Sequence, residues 1–522
     1  MQVNIVIMLK TPLWPTYQVQ FLFCTEPGII AAMDTKQQKR RQRLHLTFIY
    51  SLMVITVVFL VVIAAYLMQG YRLNWHNGTV EQGGLVQFDS HPDGARVTVN
   101  NTTLGNSTPS KITLSAGQRT VTMQRQGYRD WQKTVNVKAG SVLWLSYARM
   151  VAQNPSNKTI GKSNTVSSAA ASGNKQYLAY IESAHKPTVR LADLSGDQPK
   201  VTSISLNTAH FTAPSDASAQ TFAVTSWDKN NRHVLIKHSY DGVKTEWLVL
   251  DTQGKHELKN VTALLNLDIA RLDFSQSDSR KLIALTAEND IRQINIADTT
   301  MTGPLISNVA EFSLYGDNTI VYTTKLDATT KQRTAGYLTI GADSTRTIRH
   351  YADAGTTPLH FRIEKYYNEV YYVIAYGETV DILKGPYVAS DTKSASSMRT
   401  VASISVPGGV RALGFSTGEH RFVTAYNAAS LTTYDLELLS TATVKTKVAL
   451  KGDVNWIDGY HFILTDSEGL HMHDFDGLNH QIVAKSAVTN LPVVLSQNQK
   501  YFYSFAKNGD TVVLRQTKIM AE

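Results

Sequence analysis

The sequence predicts an all-β protein with one transmembrane helix: a small β-sandwich followed by a β-propeller of seven or eight blades. Three observations predict this organisation. An uncharged apolar segment lies near the N-terminus, a short region of alternating polar and apolar residues follows, and a strand-and-turn theme repeats over the rest of the chain. Of the 522 residues, 43% are hydrophobic and 18% are charged, a composition that can bury a core and is unlike that of a disordered chain.

The apolar segment runs from Thr47 to Met68 without a charged residue. Its 22 residues suffice for a helix to cross the hydrocarbon core of a bilayer, which takes about 20. A cleavable signal peptide is the alternative, but its apolar region usually runs about 7–15 residues, and the segment lacks a clean small-x-small cleavage site. We therefore expect an uncleaved anchor in the lipid bilayer over residues 47–69, followed by a short polar linker over residues 70–83.

Six basic residues precede the apolar segment, against two acidic ones. The six are Lys10, Lys36, Lys39, Arg40, Arg41 and Arg43. The positive-inside rule places this segment, residues 1–46, in the cytoplasm and the C-terminal bulk of the chain outside the cell membrane. Because about +4 of the formal net charge of +9 lies here, the remaining charge is spread thinly, and we expect no nucleic-acid binding.

Two further features of the N-terminal segment bear on its origin. Met33 opens the stretch MDTKQQKRRQR, which has the form of the basic start of a signal anchor, so we expect Met33 rather than Met1 to be the initiator. Cys24 is the only cysteine, so the domains after the apolar segment must fold without a disulfide or a cysteine–metal site. An exported chain of this kind is typical of a bacterial protein.

Short strands with one solvated face are predicted after residue 84, because polar and apolar residues alternate there. The predicted strands are Leu85–Phe88, Arg96–Val99, Thr120–Met123 and Lys133–Val137. Pro92 and Gly94 lie between the first two strands, where proline presets φ for a turn and glycine can adopt a positive φ.

The residues around this turn carry a specific resemblance. The run Ser90, Pro92, Asp93, Gly94, Ala95, Val97 and Val99 resembles the signature that names the PEGA domain, with Asp where the name has Glu. The later residues Gly105, Thr108, Pro109, Leu114, Gly117, Gly127, Tyr128 and Trp131 follow in the family's order. The resemblance covers residues 84–150. It implies a small β-sandwich of the kind found in bacterial and archaeal envelope proteins, with a surface location, a spacer or adhesive role, and no known catalytic residues.

From about Asn157 the sequence repeats a unit of a turn, a strongly apolar strand and a second strand often ending in Asp. The apolar strands begin near Tyr177, His233, Lys281, Ile320, Val370, Arg421, His461 and Tyr501. Units of roughly 40–50 residues made of strands and turns are typical of β-propeller blades, and closing the ring removes exposed ends. Residues 155–520 are therefore predicted to form a propeller similar to WD-repeat-like bacterial propellers, although Trp227-Asp228 is the single Trp-Asp dipeptide.

Two motifs in the repeats carry candidate chemistry. Gly414 to Gly418 matches the G-x-S-x-G nucleophile elbow, which requires a helix after the serine, but a strand is predicted over Arg421–Tyr426. Ser275 and Ser496 hold the same slot in other blades, so we expect a turn serine and no catalytic residue.

The second motif is the pair His471 and His473, with His480 nearby, which is a plausible start on a zinc site. Asp474 and Asp476 also resemble part of a calcium loop, but the other ligand positions of an EF-hand are missing. We expect partly exposed blade histidines and a hairpin turn at Asp476-Gly477, and no bound metal or cofactor.

One repeat is unusually aromatic. Its tyrosines are Tyr366, Tyr367, Tyr371, Tyr372, Tyr376 and Tyr387. Because tyrosine combines apolar area with a polar group, the first five are a candidate binding surface. Packing between blades is the alternative interpretation.

These patterns together predict a non-enzymatic protein of the cell envelope. The helix would tether it, the sandwich would contact or space it from a cell-wall or surface polymer, and the propeller would present a surface to a protein or glycan partner. The alternative is an extracytoplasmic hydrolase or lyase with its active site at the propeller channel. A convergent cluster of carboxylates, His or Arg along that channel would distinguish the two.

Overall fold

The computed structural model describes residues 35–68, 71–74, 79–352, 355–389, 398–446 and 454–521. The expectations for Cys24 and Met33 lie outside these residues. Contacts divide the chain into two compact units, Met1–Gln82 and Gly83–Glu522.

The first unit contains a long helix and the start of a hairpin. Helix α1 spans Thr35–Met68, and its 26 residues from Arg43 to Met68 are apolar enough to cross a membrane. The window that meets this test has no side chain buried within the unit, so α1 is a candidate membrane span or signal anchor. Strand β1 (Tyr71–Asn74) pairs antiparallel with the beginning of β2 (Thr79–His91), so much of the segment predicted as a linker is strand.

The second unit begins with a β-sandwich, which we call the sandwich, over residues 84–150. Its further strands are β3 (Arg96–Val99), β4 (Thr102–Ser107), β5 (Ser110–Ser115), β6 (Gly117–Gln124), β7 (Trp131–Val137) and β8 (Val142–Arg149). β5 pairs antiparallel with β2 and β8 pairs parallel with it, while β4, β3, β6 and β7 form the other sheet. The four predicted strands lie within β2, β3, β6 and β7, and their apolar positions, such as Val86, Val97, Val121 and Trp131, are completely buried between the sheets.

Eight four-stranded antiparallel sheets follow within the described residues, and we number them blades 1 to 8. Blade 1 contains β10 (Ser168–Ala171), β11 (Tyr177–Ile181), β12 (Thr188–Asp193) and β13 (Lys200–Ser205), and blade 2 contains β14 (Gln220–Trp227), β15 (His233–Tyr240), β16 (Lys244–Asp251) and β17 (Leu258–Asn260). Blade 3 contains β18 (Ile269–Phe274), β19 (Lys281–Thr286), β20 (Ile291–Asn295) and β21 (Thr300–Met301), and blade 4 contains β22 (Val309–Tyr315), β23 (Thr319–Thr324), β24 (Gln332–Thr339) and β25 (Arg346–Ala352). A short helix, α2 (Val261–Leu265), follows β17, and two 3-10 turns, Thr208–His210 and Ala217–Ala219, precede β14.

The remaining blades follow the same order. Blade 5 contains β26 (Leu359–Tyr366), β27 (Glu369–Tyr376), β28 (Thr379–Gly385) and β29 (Arg399–Ser405), and blade 6 contains β30 (Ala412–Phe415), β31 (Phe422–Tyr426), β32 (Ser430–Asp435) and β33 (Ser440–Lys445). Blade 7 contains β34 (Asn455–Trp456), β35 (His461–Thr465), β36 (Gly469–Asp474) and β37 (Gln481–Lys485). Blade 8 contains β38 (Val494–Leu495), β39 (Tyr501–Asn508), β40 (Thr511–Lys518) and, as its outermost strand, β9 (Ser156–Ser163).

The predicted apolar strands are the second strands of the eight blades. Five begin at the predicted residue and three begin within one residue of it. These strands are buried on both faces because a neighbouring blade packs on each side, as Leu282, Ile283 and Ala284 illustrate with no exposed surface. The repeat spacing therefore counted the blades correctly at the higher of the two predicted numbers.

Among the residues that the structure describes, eight apolar clusters join successive blades and close the ring. One cluster lies between each blade and the next, from blades 1 and 2 through blades 7 and 8. The closing cluster joins blade 8 to blade 1, where Leu514 and Phe505 pack with Leu178 and Tyr180. Because β9 comes from the start of the propeller and β38 to β40 from its end, blade 8 also joins the two ends through backbone hydrogen bonds.

Leu514 provides a test of ring closure, because it is 2% exposed and packs across the junction of blades 8 and 1. We expect Leu514→Ala to lower the free energy of unfolding of residues 71–522 by about 2–5 kcal/mol, since the substitution leaves a cavity. Leu438→Ala, at a side chain that is 47% exposed, is the matched control and should cost about 0.5 kcal/mol or less. Urea denaturation measures both, and equal losses would contradict the closed ring.

Candidate functional site: the junction of sandwich and propeller

The sandwich is joined to blade 7 of the propeller by hydrogen bonds from β7. The buried indole of Trp131 donates from Nε1 to Asp474 Oδ2 at 3.1 Å. The backbone nitrogen of Gln132 donates to Asn479 Oδ1 at 2.9 Å, and Asn479 Nδ2 in turn donates to Asp474 Oδ2 at 2.8 Å. The carboxylate that ends β36 is therefore shared between the two domains.

Lys133 is the next residue of this contact, and its side chain is only 7% exposed. Its Nζ lies 2.6 Å from Asp476 Oδ2 and 3.8 Å from Asp474 Oδ2, and it also lies 4.2 Å from the centre of the Phe475 ring. Burial lowers the pKa of Lys133, but Tyr147, Asp474 and Asp476 raise it by more, so its pKa lies above the ordinary value. The buried ammonium group is therefore charged and compensates both carboxylates.

Arg149, at the end of β8, makes the second polar contact. Its Nε donates to Asp458 Oδ2 at 2.9 Å, and its Nη2 donates to Gln499 Oε1 at 2.7 Å. His461 links this contact to the first, because its Nδ1 lies 2.8 Å from Asp458 Oδ1 and its Nε2 lies 3.3 Å from Asp474 Oδ1. Burial alone lowers the pKa of His461, but Asp458 and Asp474 raise it to about 9.

The aromatic rings at the junction complete the contact between the domains. Tyr147 of β8 stacks on Tyr460 with the ring centres 4.9 Å apart, and it meets Trp131 and Phe475 edge to face. Burial raises the pKa of the Tyr147 hydroxyl to about 12. Aromatic packing of this kind stabilises a contact beyond the area it buries.

The predicted sandwich motif serves the structure of the sandwich itself. Ser90 Oγ donates to the Pro92 carbonyl at 2.7 Å and lies 2.6 Å from Thr108 Oγ1, which accepts from the backbone nitrogen of Ala95 at 2.9 Å. Gly94 has a φ of +86°, which a residue with a side chain rarely adopts. These contacts hold the turn, whereas Asp93 is exposed at its outer side.

The later motif residues contact the end of the propeller chain. The backbone nitrogen of Ala521 donates to Tyr128 Oη at 3.0 Å, and the backbone nitrogen of Gln153 donates to the Gly127 carbonyl at 2.9 Å. Gly127 has a φ of +82°, and a Cβ there would lie 3.1 Å from the Cβ of Ala521. Glycine thus allows this close approach.

A cleft of about 650 Å³ lies between the sandwich and blades 1, 7 and 8. Its lining includes Asp89, His91, Arg149, Lys175 and Asp458. In this lining Arg149 Nη1 and His91 Nε2 are buried and have no hydrogen-bond partner among the described residues. Burial and the Arg149 charge lower the pKa of His91, so this imidazole is neutral near pH 7. The cleft is the candidate functional site.

Most residues of this junction were not predicted from the sequence. Asp474 and Asp476 drew attention as part of a calcium-like loop, but they pair with the sandwich instead. Asp476 and Gly477 do form a turn, with a φ of +81° at Gly477. A signal for Lys133 was present in the sequence, because it has the same strand parity as Trp131 and so points to the apolar side of β7.

The histidines of blade 7 form a compact group. His471 Nδ1 lies 2.7 Å from His480 Nε2, His471 Nε2 lies 2.7 Å from Asp466 Oδ1, and the rings of His473 and His480 stack at 4.7 Å. Burial lowers the pKa of His473 to about 4. One ligand atom from each of Asp466, Glu468 and His471 lies within 4.8 Å of the other two, so these three residues, rather than His471 and His473, could hold a metal.

The predicted tyrosine surface is not assembled in the structure. Tyr366, Tyr371 and Tyr372 are 5%, 6% and 0% exposed and belong to the clusters between blades 4, 5 and 6. Tyr376 stacks on Tyr351 at 4.5 Å, and Tyr367 alone among the five is exposed, at 72%. Tyr387 bonds to Thr319 and Thr339 within the fold. These placements correspond to the alternative interpretation, in which the tyrosines pack between blades.

The serine of the G-x-S-x-G motif lies in a turn. Ser416 is fully buried, its backbone nitrogen donates to the Phe422 carbonyl at 2.8 Å, and the next element after the turn is strand β31, not a helix. Ser496 makes the same contact with Tyr501 in blade 8, and its Oγ also accepts from the Tyr501 nitrogen. In blade 7 the same backbone contact is made by Ile457, whose nitrogen donates to the His461 carbonyl at 3.0 Å, and the next residue of this turn, Asp458, is the partner of Arg149.

The first strands of several neighbouring blades contact one another, as β22 does β26. In blades 4 and 5 they carry Glu311, His360 and Arg362. Glu311 Oε2 lies 2.7 Å from His360 Nδ1, and Glu311 Oε1 accepts from Arg362 Nη2 at 2.6 Å. Burial raises the pKa of Glu311, but His360 and Arg362 lower it by more, so that the pKa is about 2. This ionised, paired carboxylate holds no proton for acid catalysis near neutral pH.

Comparison with known proteins assigns the sandwich to a family. Residues 84–150 match the PEGA domain. No curated protein matches the chain in sequence. Ser90 to Ala95, Gly127 and Tyr128 lie inside this match.

Solved structures similar to the chain include propellers. Sqt1 from Saccharomyces cerevisiae has 10% identity and a TM-score of 0.43, with coverage of 70% of this chain and 98% of that one. The β-propeller domain of Cps50 (Swd1) from Myceliophteria thermophila has 9% identity and a TM-score of 0.39, covering 70% of this chain and 100% of that one. An oligogalacturonate lyase in complex with manganese has 9% identity and a TM-score of 0.38, covering 56% and 88%.

Lys133 provides a test of the junction. Lys133→Met leaves Asp474 and Asp476 without their buried cation, so we expect the free energy of unfolding of residues 71–522 to fall by about 3–5 kcal/mol. Lys255→Met, at an exposed lysine, is the control and should change it by about 0.5 kcal/mol or less. Adding Asp476→Asn to Lys133→Met should recover part of the loss. A neutral effect of Lys133→Met in urea denaturation would contradict the buried ion pair.

His461 makes the stability dependent on pH in a defined window. Its folded pKa of about 9 lies above its unfolded value of 6.5, so its contribution is complete below pH 6.5 and is lost as the pH rises through 9. We expect the difference in unfolding free energy between the parent and His461→Gln to shrink by up to about 3 kcal/mol from pH 6.5 to 9.5. A constant difference across this range would contradict a charged His461.

Proposed function

We propose that this protein is a membrane-anchored, extracytoplasmic binding or scaffolding protein of a bacterial cell envelope. In this proposal α1 tethers the chain, and the PEGA domain and propeller together present a binding surface to a surface polymer or an envelope protein. The apolar window Arg43–Met68, preceded by basic residues, supports the tether. The propeller supports a protein-binding role because a ring of blades offers a broad surface built from many loops.

The observation that carries the proposal is the buried junction between the PEGA domain and the propeller. Lys133 and Arg149 are each less than one-tenth exposed and pair with carboxylates of the propeller. Charges are buried in this way only when the partners stay together, because an uncompensated buried charge is strongly destabilising. The PEGA domain is therefore a fixed part of the binding unit rather than a freely moving spacer.

The alternative function, a hydrolase or lyase at the propeller channel, is less well supported. Charged side chains do occur on the first strands, as predicted for that alternative, but Glu311 is paired with His360 and Arg362 and has a low pKa. Arg271 similarly donates to Asp273 at 2.7 Å. Paired charges of this kind stabilise neighbouring strands and offer neither a free nucleophile nor a general acid.

Orientation in the membrane is testable with single cysteines. In a Cys24→Ser background, Val243→Cys places a thiol on the propeller at a side chain that is 90% exposed, and Gln38→Cys places one before the apolar segment. We expect a membrane-impermeant maleimide added to intact cells to label Val243→Cys and not Gln38→Cys, and to label both after lysis. Labelling in the reverse pattern would contradict the extracytoplasmic assignment.

Binding itself is tested by co-sedimentation of residues 71–522 with purified cell-wall material and by cross-linking of the full chain in its own membrane. We expect the protein to be retained by the polymer or to capture a defined envelope partner. A deletion of the PEGA domain is a poor control, because it uncovers Asp474 and Asp476, so Lys133→Met is the preferable variant for loosening the junction. Failure of both capture experiments would contradict the binding role.

A further inference from the structure

We propose that the cleft between the PEGA domain and the propeller binds an acidic saccharide, a sugar that carries a carboxylate group. This proposal rests on the proposed function, since it names the ligand class that the binding unit would recognise. The cleft is about 650 Å³ in volume, which accommodates a group of the size of one sugar. Its lining is built from both domains.

Arg149 is the centre of the site. Its side chain is 8% exposed, and two of its nitrogens are committed: Nε to Asp458 and Nη2 to Gln499. These bonds fix the plane of the guanidinium group, yet Nη1 is buried without a partner. A buried donor left unpaired is destabilising, and a hydrogen bond to a ligand oxygen would remove this cost. Guanidinium donates and never accepts, so the ligand atom at Nη1 must be an acceptor, for which a carboxylate oxygen is well suited.

His91 is the second member of the site, and it lies beside Arg149. The two residues are register partners in the parallel pairing of β2 with β8, so their side chains leave the same side of that sheet. His91 Nε2 is also buried without a partner. Because burial and Arg149 lower the pKa of His91, its neutral ring donates or accepts according to tautomer. A sugar hydroxyl, which can do either, matches this group.

The remaining charges of the lining favour a ligand with both a carboxylate and hydroxyls over a purely anionic one. Asp458 is already neutralised by Arg149 and His461. Lys175 adds a cation and donates to the Ile457 carbonyl at 2.6 Å. Asp89 and Asp93 lie in the lining as acceptors, so they suit hydroxyl groups and would repel a polyanion.

Titration of residues 71–522 with glucuronate, glucose and N-acetylalanine at pH 7 tests the proposal by calorimetry or NMR. We expect glucuronate to bind with one site per chain and at least tenfold more tightly than glucose, which lacks the carboxylate. Binding of N-acetylalanine as tightly as glucuronate would overturn the saccharide assignment in favour of a peptide carboxylate. The absence of glucuronate binding would overturn the site altogether.

Variants tie binding to this cleft. His91→Leu removes a ring nitrogen that has no partner among the described residues, so it leaves the contacts of Arg149 with Asp458 and Gln499 in place. We expect it to weaken glucuronate binding at least tenfold with little change in unfolding free energy. His210→Leu, at an exposed propeller histidine outside the cleft, is the matched control and should bind as the parent does. Unchanged binding in His91→Leu would overturn the proposal.

A further comparison separates this proposal from the proposed function. If glucuronate fails to bind while residues 71–522 still co-sediment with envelope material, the saccharide site is wrong and the binding role stands. If co-sedimentation and membrane cross-linking fail as well, both are wrong.

Discussion

Asp474 is the carboxylate on which the arrangement of the two domains depends. It is 1% exposed, accepts hydrogen bonds from Trp131 and Asn479, and lies within reach of Lys133 and His461. A buried charge is tolerated only when surrounding groups compensate it, and here two of these groups belong to the PEGA domain. Groups of the PEGA domain therefore compensate the buried charge of Asp474 in blade 7. The cleft beside Arg149 exists because this contact holds the two domains together.

The same position recurs in other blades with a different partner. Asp251 and Asp435 end the third strands of blades 2 and 6 and accept two hydrogen bonds each from arginines that precede the second strands, Arg232 and Arg421. This is an internal device that ties two strands of one blade. In blade 7 Tyr460 holds the position of these arginines, and Asp474 instead lies 3.3 Å from Nε2 of its register partner His461 and accepts from Trp131 of the PEGA domain. The carboxylate at this blade position therefore makes an interdomain contact in blade 7.

Sequence patterns predicted the candidate site only in part. The sequence pointed to His471 and His473 as a possible metal site because two histidines lie close together there. The cleft is instead lined by His91, Arg149 and residues of turns that are distant in the sequence. The residues next to an arginine in the sequence do not show whether its side chain is buried or solvated. The tyrosines of blade 5 could not be placed from the sequence, because an aromatic strand suits both an exposed surface and a packed interior. In the structure most of them are buried between blades. The burial of Lys133 could have been predicted, since a lysine on the apolar face of a strand requires a charged partner.

The sequence by itself determined the all-β class, the apolar span, the PEGA motif and the starts of the eight apolar strands. These features can be predicted because each depends on the hydrophobic periodicity and the turn residues of a short stretch of sequence. Tertiary structure alone decided that β9 closes blade 8, that eight clusters complete a ring, and that Trp131, Lys133 and Arg149 meet the propeller. These contacts join residues hundreds of positions apart, and their energy comes from burial and charge compensation that exist only once the chain has folded.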